Sequence, residues 1–196
     1  MNRFVRCILL SAALASCSAA FAESREFRID PDHFSIAFRI GHIGYADQIG
    51  LFLEAEGRFV YDADANQLSS GEVTVAADSV FTNHDRRDAH LRDDDFLDAS
   101  RYETIRFEAR EWQPDSPEAG TLLGDLTLLG TTRPVELAVT LNKLADYPFG
   151  HRRPTLGLSA SATIRRSEWG MTYGVEDDLV GDEVHLMFEL EAIAEQ

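Results

Sequence analysis

The side chains with most chemistry to offer are gathered in one stretch, His84–Asp98 (HDRRDAHLRDDDFLD). It holds six aspartates, three arginines and two histidines, with Leu91, Phe96 and Leu97 as apolar anchors. Each histidine stands four residues ahead of an aspartate, His84 before Asp88 and His90 before Asp94. On a helix each pair would share a face, and an imidazole beside a carboxylate can begin a metal site or an acid–base pair. Spacing specifies no third ligand, so no metal is assigned. Asp88 and Arg92 are also four apart with the acid first, which gives the simpler reading of a solvated, salt-bridged turn.

Outside this stretch the chemistry thins out. There is no nucleophile elbow, glycine-rich phosphate loop, CxxC or HExxH. His42 alternates in phase with Phe38 and Ile40, which points it inward near a rim, while His185 falls out of phase with Val184 and Leu186 and faces outward. No pair of carboxylates is isolated in an apolar setting. Trp169, Met171 and Tyr173 alternate between Gly170 and Gly174, as a gate or as a plug. No catalytic residue is assigned and the chain is read as a non-enzyme. The alternative is a small hydrolase or isomerase acting on an apolar substrate, using His42 or His90 with an aspartate at a barrel mouth.

The elements that must position these residues are strands. Short runs alternate apolar and polar residues, as in His33–Ile43, Ile49–Tyr61, Gly71–Asp78, Thr104–Trp112, Thr121–Leu129, Pro134–Asn142, Thr155–Ile164 and Glu183–Ala192. Pro31 is expected to end a short first run, Phe27–Asp30. Asp62–Ser70, Gln113–Gly120 and Gly130–Arg133 are turns by composition. Eight strands with one apolar face each and no helical layer predict an all-β fold, a sandwich or an up-and-down barrel; closure, which removes sheet edges, favours the barrel. The inward phase includes Ala55, Gly57, Ala77, Ala109, Gly124, Ala160 and Ala162. Small inward residues fit either the taper of a filled barrel or a barrel holding one slender apolar ligand.

Length and charge narrow the partners. The 196 residues suit one domain, and 44% hydrophobic content supplies a core. A net charge of −16 argues against nucleic acid or an anionic membrane surface. Residues 1–22 read as a secretory signal peptide: Arg3 and Arg6, an apolar run Cys7–Ala15 too short to span a bilayer, then Ala20-Phe21-Ala22. Its removal takes two arginines and no acid, deepening the charge to −18. Leu14-Ala15-Ser16-Cys17 is the rival signal, a lipoprotein site with Cys17 acylated. Either way neither cysteine is left for a disulfide.

The ordered motifs resemble one family along essentially the whole mature length. They are Asp30 with His33-Phe34-Ser35 and His42; Gly50-Leu51-Phe52; Gly57-Arg58-Phe59; Asp78-Ser79-Val80-Phe81-Thr82; Arg87-Asp88-Ala89-His90-Leu91; and Asp95-Phe96-Leu97-Asp98. Then come Ile105-Arg106-Phe107, Gly124–Thr132, Pro134-Val135, Arg166-Ser167-Glu168-Trp169-Gly170-Met171 and Gly181–Val184. The set resembles the YceI-like, polyisoprenoid-binding periplasmic proteins. Phe34 before Ser35 and Glu103 after Tyr102 depart from the family pattern.

The resemblance implies an eight-stranded antiparallel up-and-down, lipocalin-like barrel with one short helical insert, spanning 23–196 as a single domain. It also implies a periplasmic protein, with the outer-membrane lipoprotein as the lesser alternative, that holds an isoprenoid chain of a polyprenyl lipid or quinone as carrier or store. No cofactor other than that bound lipid is expected. Contact with a membrane for lipid exchange is an open partner reading, and so is a homodimer. The inward phases then give the expected lining: Phe38, Ile40, Leu53, Phe59, Val75, Phe107, Leu126, Val139, Leu158, Ala160, Ala162, Leu186 and Phe188. His90, Leu91, Phe96, Trp169 and Tyr173 are the expected mouth and lid.

Overall fold

The computed structural model describes residues 24–195. Residues 1–22, with the expected leader, Cys7 and Cys17, lie outside the described residues. The ten strands are β1 (Arg25–His42), β2 (Ala46–Phe52), β3 (Ala55–Asp62), β4 (Gln67–Ala76), β5 (Val80–Phe81), β6 (Thr104–Pro114), β7 (Ala119–Leu128), β8 (Thr131–Asp146), β9 (Pro154–Arg165) and β10 (Val180–Ala194). Among the described residues one α-helix, α1 (Asp85–Arg92), lies between β5 and β6. All pairings are antiparallel, and β10 returns to β1 to close the sheet.

Ten strands make eight staves. β2 and β3 both run beside β1 and are two halves of one stave; β4 and β5 form the next. The result is a closed, eight-stave, up-and-down barrel. Its inward phase is the apolar one on every stave: Ile105 and Phe107 on β6, Leu126 and Leu128 on β7, Val135 to Leu141 on β8, Leu156 to Ile164 on β9, Val184 to Leu190 on β10. Period-two patterning alone accounts for that agreement.

Two local expectations fail. Pro31 does not end a strand, because β1 runs on through it in a bulge. Ile29 pairs with Ala192 and Phe34 with Leu190, so four residues of β1 face the single Glu191 of β10. Proline is tolerated there because no ladder donor is needed.

The run Ile49–Tyr61 is broken at Leu53-Glu54. The Leu53 N–H donates to Ser79 O (3.2 Å) and Glu54 O accepts from the Ala76 N–H (3.0 Å). That break switches the inward set from Phe52 to Phe59 and Tyr61, so the side chain of Leu53 turns out, 55% exposed, and does not line the interior.

Two buried clusters bracket the interior. At one end Phe27, Tyr61, Leu156, Ala192 and Ala194 pack together, with Phe27 stacked on Phe59 at 5.4 Å. At the other, Phe38, Val80, Leu126, Leu128 and Ile164 of the staves meet Phe96, Leu97, Trp169 and Met171 of the loops.

Candidate functional site: an apolar tunnel and its mouth

Between the two clusters lies a cavity of about 540 Å³. Phe38, Ile40, Phe59, Val75, Phe107, Leu126, Val139, Leu158, Ala160, Ala162, Leu186 and Phe188 all line it. Of the small residues expected in the inward phase, Ala109, Ala160 and Ala162 border it, whereas Ala55, Gly57, Ala77 and Gly124 do not. Gly124 has another use: a Cβ there would stand 2.3 Å from the Phe107 ring. Gly50 seats Phe38 in the same way, with 2.2 Å to the ring. Aromatic rings of one stave lie over glycines of the next, which fixes both rings as wall.

The floor is polar at one point. Asn66 Oδ1 accepts from the Tyr61 hydroxyl (2.8 Å) and from Trp112 Nε1 (2.9 Å), and its Nδ2 donates to Ser116 O (3.2 Å). Both rings line the cavity while their polar ends are satisfied below it. Burial, with the neighbouring Asp62 charge, raises the Tyr61 hydroxyl above the usual tyrosine range.

The mouth is made by the helical insert on one side and the loop before β10 on the other. His90, Phe96 and Tyr173 form a triangle of rings with centroids 5.0, 5.1 and 5.2 Å apart. Leu91, Ile43, Gln48 and Leu179 complete the rim, with His42 exposed beside them. Trp169 is not at the mouth. It sits on a 3₁₀ turn, Arg166–Trp169, closed by Gly170 at φ 89°, and turns inward to 3% exposure with Nε1 donating to Leu126 O (3.1 Å). A left-handed residue is what that reversal requires. Trp169 is therefore a plug in the core, and Tyr173 is the loop's residue at the rim.

The charged insert is also not the solvated turn its spacing suggests. Asp88 is 5% exposed and accepts from the Thr82 N–H (2.8 Å) and from the Thr82 hydroxyl, not from Arg92. Arg92 instead donates to Asp78 O (2.7 Å) and Val80 O (2.9 Å), and Arg87 to Thr82 Oγ1 (2.7 Å) and Thr82 O (2.6 Å). Burial pushes the Asp88 carboxyl up, but the Thr82 hydrogen bonds and the Arg92 and Arg87 charges outweigh it and hold it below the usual range. The arginines and the buried aspartate rivet α1 to β5.

Neither histidine pair is the expected one. His84 is the N-cap of α1, its Nδ1 accepting from the Arg87 N–H (3.3 Å). His90 Nε2 bonds Asp95 Oδ2 (2.9 Å), not Asp94. This places an imidazole–carboxylate pair at the cavity mouth. Around it the lining is mostly aliphatic and aromatic, with His42, Gln48, Thr82, Arg87 and Arg166 the polar side chains near that end.

One residue that spacing arguments pass over holds the second loop. Arg166 is 1% exposed and donates to Gly181 O (2.8 Å), Met171 O (3.0 Å), Tyr173 O (2.8 Å) and Val180 O (2.9 Å). Burial pulls its guanidinium below the ordinary arginine value, with the Asp182 charge opposing. Its only sequence signal is its place at the head of Arg166–Met171.

Comparison with known proteins agrees with this architecture. The YceI-like domain model matches residues 27–192. A UPF0312 protein of Pseudomonas aeruginosa is 36% identical over 190 residues, covering 93% of this chain and 96% of its own. The protein YceI of Escherichia coli O157:H7 is 33% identical over 194 residues, covering 96% and 98%.

Among solved structures, BcnA of Burkholderia cenocepacia superposes with a TM-score of 0.74 at 19% identity, over 83% of this chain and 98% of its own. A domain from Saccharophagus degradans, described as polyisoprenoid binding and implicated in plant cell wall breakdown, gives 0.61 at 12% identity, over 88% and 100%. With a family match across nearly all the barrel and relatives a third identical end to end, the chain belongs to the YceI-like domain family.

Proposed function

We propose that this is an exported binding protein that encloses one isoprenoid chain in its barrel, as a carrier or store and not as a catalyst. The observation that carries the reading is the cavity of about 540 Å³, walled mainly by aliphatic and aromatic side chains, with the part-exposed His90 and Tyr173 in its lining at one end. A flexible hydrocarbon gains about 0.8 kcal/mol per CH₂ moved from water into such a wall. That the chain is an isoprenoid rests on the likeness to the polyisoprenoid-binding domain of S. degradans.

The mouth favours a neutral head group. Asp95 stands there bonded to His90, the 174–180 loop carries Glu176, Asp177 and Asp178 beside Leu179, and Arg87 is engaged by Thr82. A quinone or free polyprenol suits this rim; a diphosphate does not. Export follows from the composition of residues 1–22, with transfer at a membrane surface as the step that loads the barrel.

Native mass spectrometry of the protein purified gently from its host tests the reading, with extraction of any bound lipid. The expected result is a one-to-one adduct of isoprenoid mass, displaced by added quinone more readily than by prenyl diphosphate. A bare chain that ignores polyprenol and quinone at every ratio overturns it. The same spectrum shows whether residues 1–22 are removed or Cys17 is acylated.

A second reading has one observation in its favour, the 2.9 Å His90–Asp95 pair at the mouth. A general base there would act on an apolar ester or ketone. Against it, the Thr82 hydroxyl in the lining is already bound to Asp88 and Arg87, and the Arg166 guanidinium is given to backbone carbonyls.

A further inference from the structure

The bulge in β1 has an unexplained consequence at the barrel's outer wall. Residues 30–33 pair with neither β10 nor β3, and the side chains of Asp30 and His33 meet Glu191, the single β10 residue opposite them. Asp30 is 8% exposed and is aimed by its own loop: Oδ1 accepts the Asp32 N–H (3.1 Å), which turns Oδ2 toward His33. His33 Nδ1 lies 2.8 Å from that Oδ2 and 4.0 Å from Glu191 Oε2.

Glu191 Oε2 is the telling atom. Among the described residues it is the one buried side-chain oxygen or nitrogen without a hydrogen-bond partner. The Glu191 side chain as a whole is 38% exposed, so the buried oxygen is the one facing His33 rather than water. An unsatisfied buried acceptor is costly, and one set beside an imidazole and a second carboxylate calls for an occupant.

We propose that this is a divalent transition-metal site of the Zn²⁺ class, with Asp30 Oδ2, His33 Nδ1 and Glu191 Oε2 as protein ligands. The three atoms lie within 4.8 Å of one another. Zn–N and Zn–O bonds of about 2.0–2.2 Å put tetrahedral ligand atoms roughly 3.4 Å apart, between the 2.8 and 4.0 Å separations seen here. A small side-chain shift closes the set. One imidazole and two carboxylates suit Zn²⁺ and its first-row neighbours, whereas an imidazole is a poor ligand for Ca²⁺ or Mg²⁺. Gly157, paired with Glu191 on β9, leaves the outer side open for a water as fourth ligand. The site is separate from the apolar tunnel and its role is to pin the seam where β1 and β10 lose their ladder.

The test uses the full chain expressed with its leader and purified without a histidine tag. Zn²⁺ is titrated against a chromophoric chelator, and Co²⁺ is added to read the coordination from its visible spectrum. The expected result is one saturable Zn²⁺ per chain, weakened at least about tenfold in His33→Ala and in Glu191→Gln. His185→Ala, on the outer wall and bonded to Thr163, keeps it. Zn²⁺ should raise the melting temperature of the parent protein and leave that of His33→Ala unmoved. The proposal fails if no one-to-one binding saturates below millimolar free Zn²⁺. It also fails if both variants, folded by circular dichroism, bind as the parent does; Asp30 and His33 are then only a hydrogen-bonded pair.

Discussion

The guanidinium of Arg166 lies over the ring of Phe96, 5.7 Å from its centroid. Arg166 gathers two carbonyls of the loop before β10, Met171 and Tyr173, and two at the start of β10, Val180 and Gly181, and Phe96 belongs to the insert after β5, so one contact couples the two flanks of the mouth. The rim is one assembly rather than a hinged lid, and the insert belongs to the core of that end of the barrel.

Arg166→Lys should therefore fail although it keeps the charge. An ammonium has no planar fork to reach Gly181, Met171, Tyr173 and Val180 together, and each orphaned buried carbonyl costs about 1–3 kcal/mol. A loss of roughly 2–4 kcal/mol in urea unfolding is expected. Near-ultraviolet circular dichroism should show Trp169 loosened as well, and an unchanged unfolding midpoint would contradict the role assigned to Arg166.

Asp88 gives the barrel an acid limit. Its folded value is depressed, so its contribution is full above the ordinary carboxylate value near 3.9 and is lost as pH falls through the lower, folded one. Asp88→Asn should cost about 1 kcal/mol at neutral pH, by removing the charge that Thr82, Arg87 and Arg92 favour. Its melting temperature should then fall less than the parent's between pH 5 and pH 2. Parallel curves for the two proteins would mean that other carboxylates govern acid unfolding.

How much of this was legible depends on what each feature rests on. The barrel and most of its lining rest on period-two patterning, which sequence displays directly. Leu53 misled because Leu51, Phe52 and Leu53 are all apolar, so alternation cannot show where the phase switches. Asp88 misled and Arg166 went unread for a different reason: their partners are backbone groups and one hydroxyl, which carry no side-chain signature. Glu191 meets Asp30 and His33 only because the barrel closes, which no local spacing reveals.

His90 separates the two readings of the mouth. His90→Ala removes the bond to Asp95 and one ring of the triangle. A binding protein should keep its lipid stoichiometry and release lipid to acceptor vesicles several-fold faster, because the rim is looser. An enzyme should instead keep exchange and lose turnover of an apolar ester by about 10²-fold or more. Measuring both on the same preparation assigns the pair.

Ala160 and Gly124 are both small, and both lie in the inward phase, yet the structure predicts opposite failures for them. Ala160 borders the cavity between Val139 and Phe188, so the ring of Ala160→Phe has space to enter. Its folding stability should stay within about 1 kcal/mol of the parent's while lipid uptake falls at least tenfold, because the ring takes the ligand's volume. A methyl on Gly124 has no such space, meeting the Phe107 ring at 2.3 Å and Glu108 O at 2.6 Å. Gly124→Ala should lose about 1–3 kcal/mol of stability. It should still bind lipid at temperatures where it remains folded. If Ala160→Phe instead unfolds the protein and spares uptake, the cavity is not where the ligand sits.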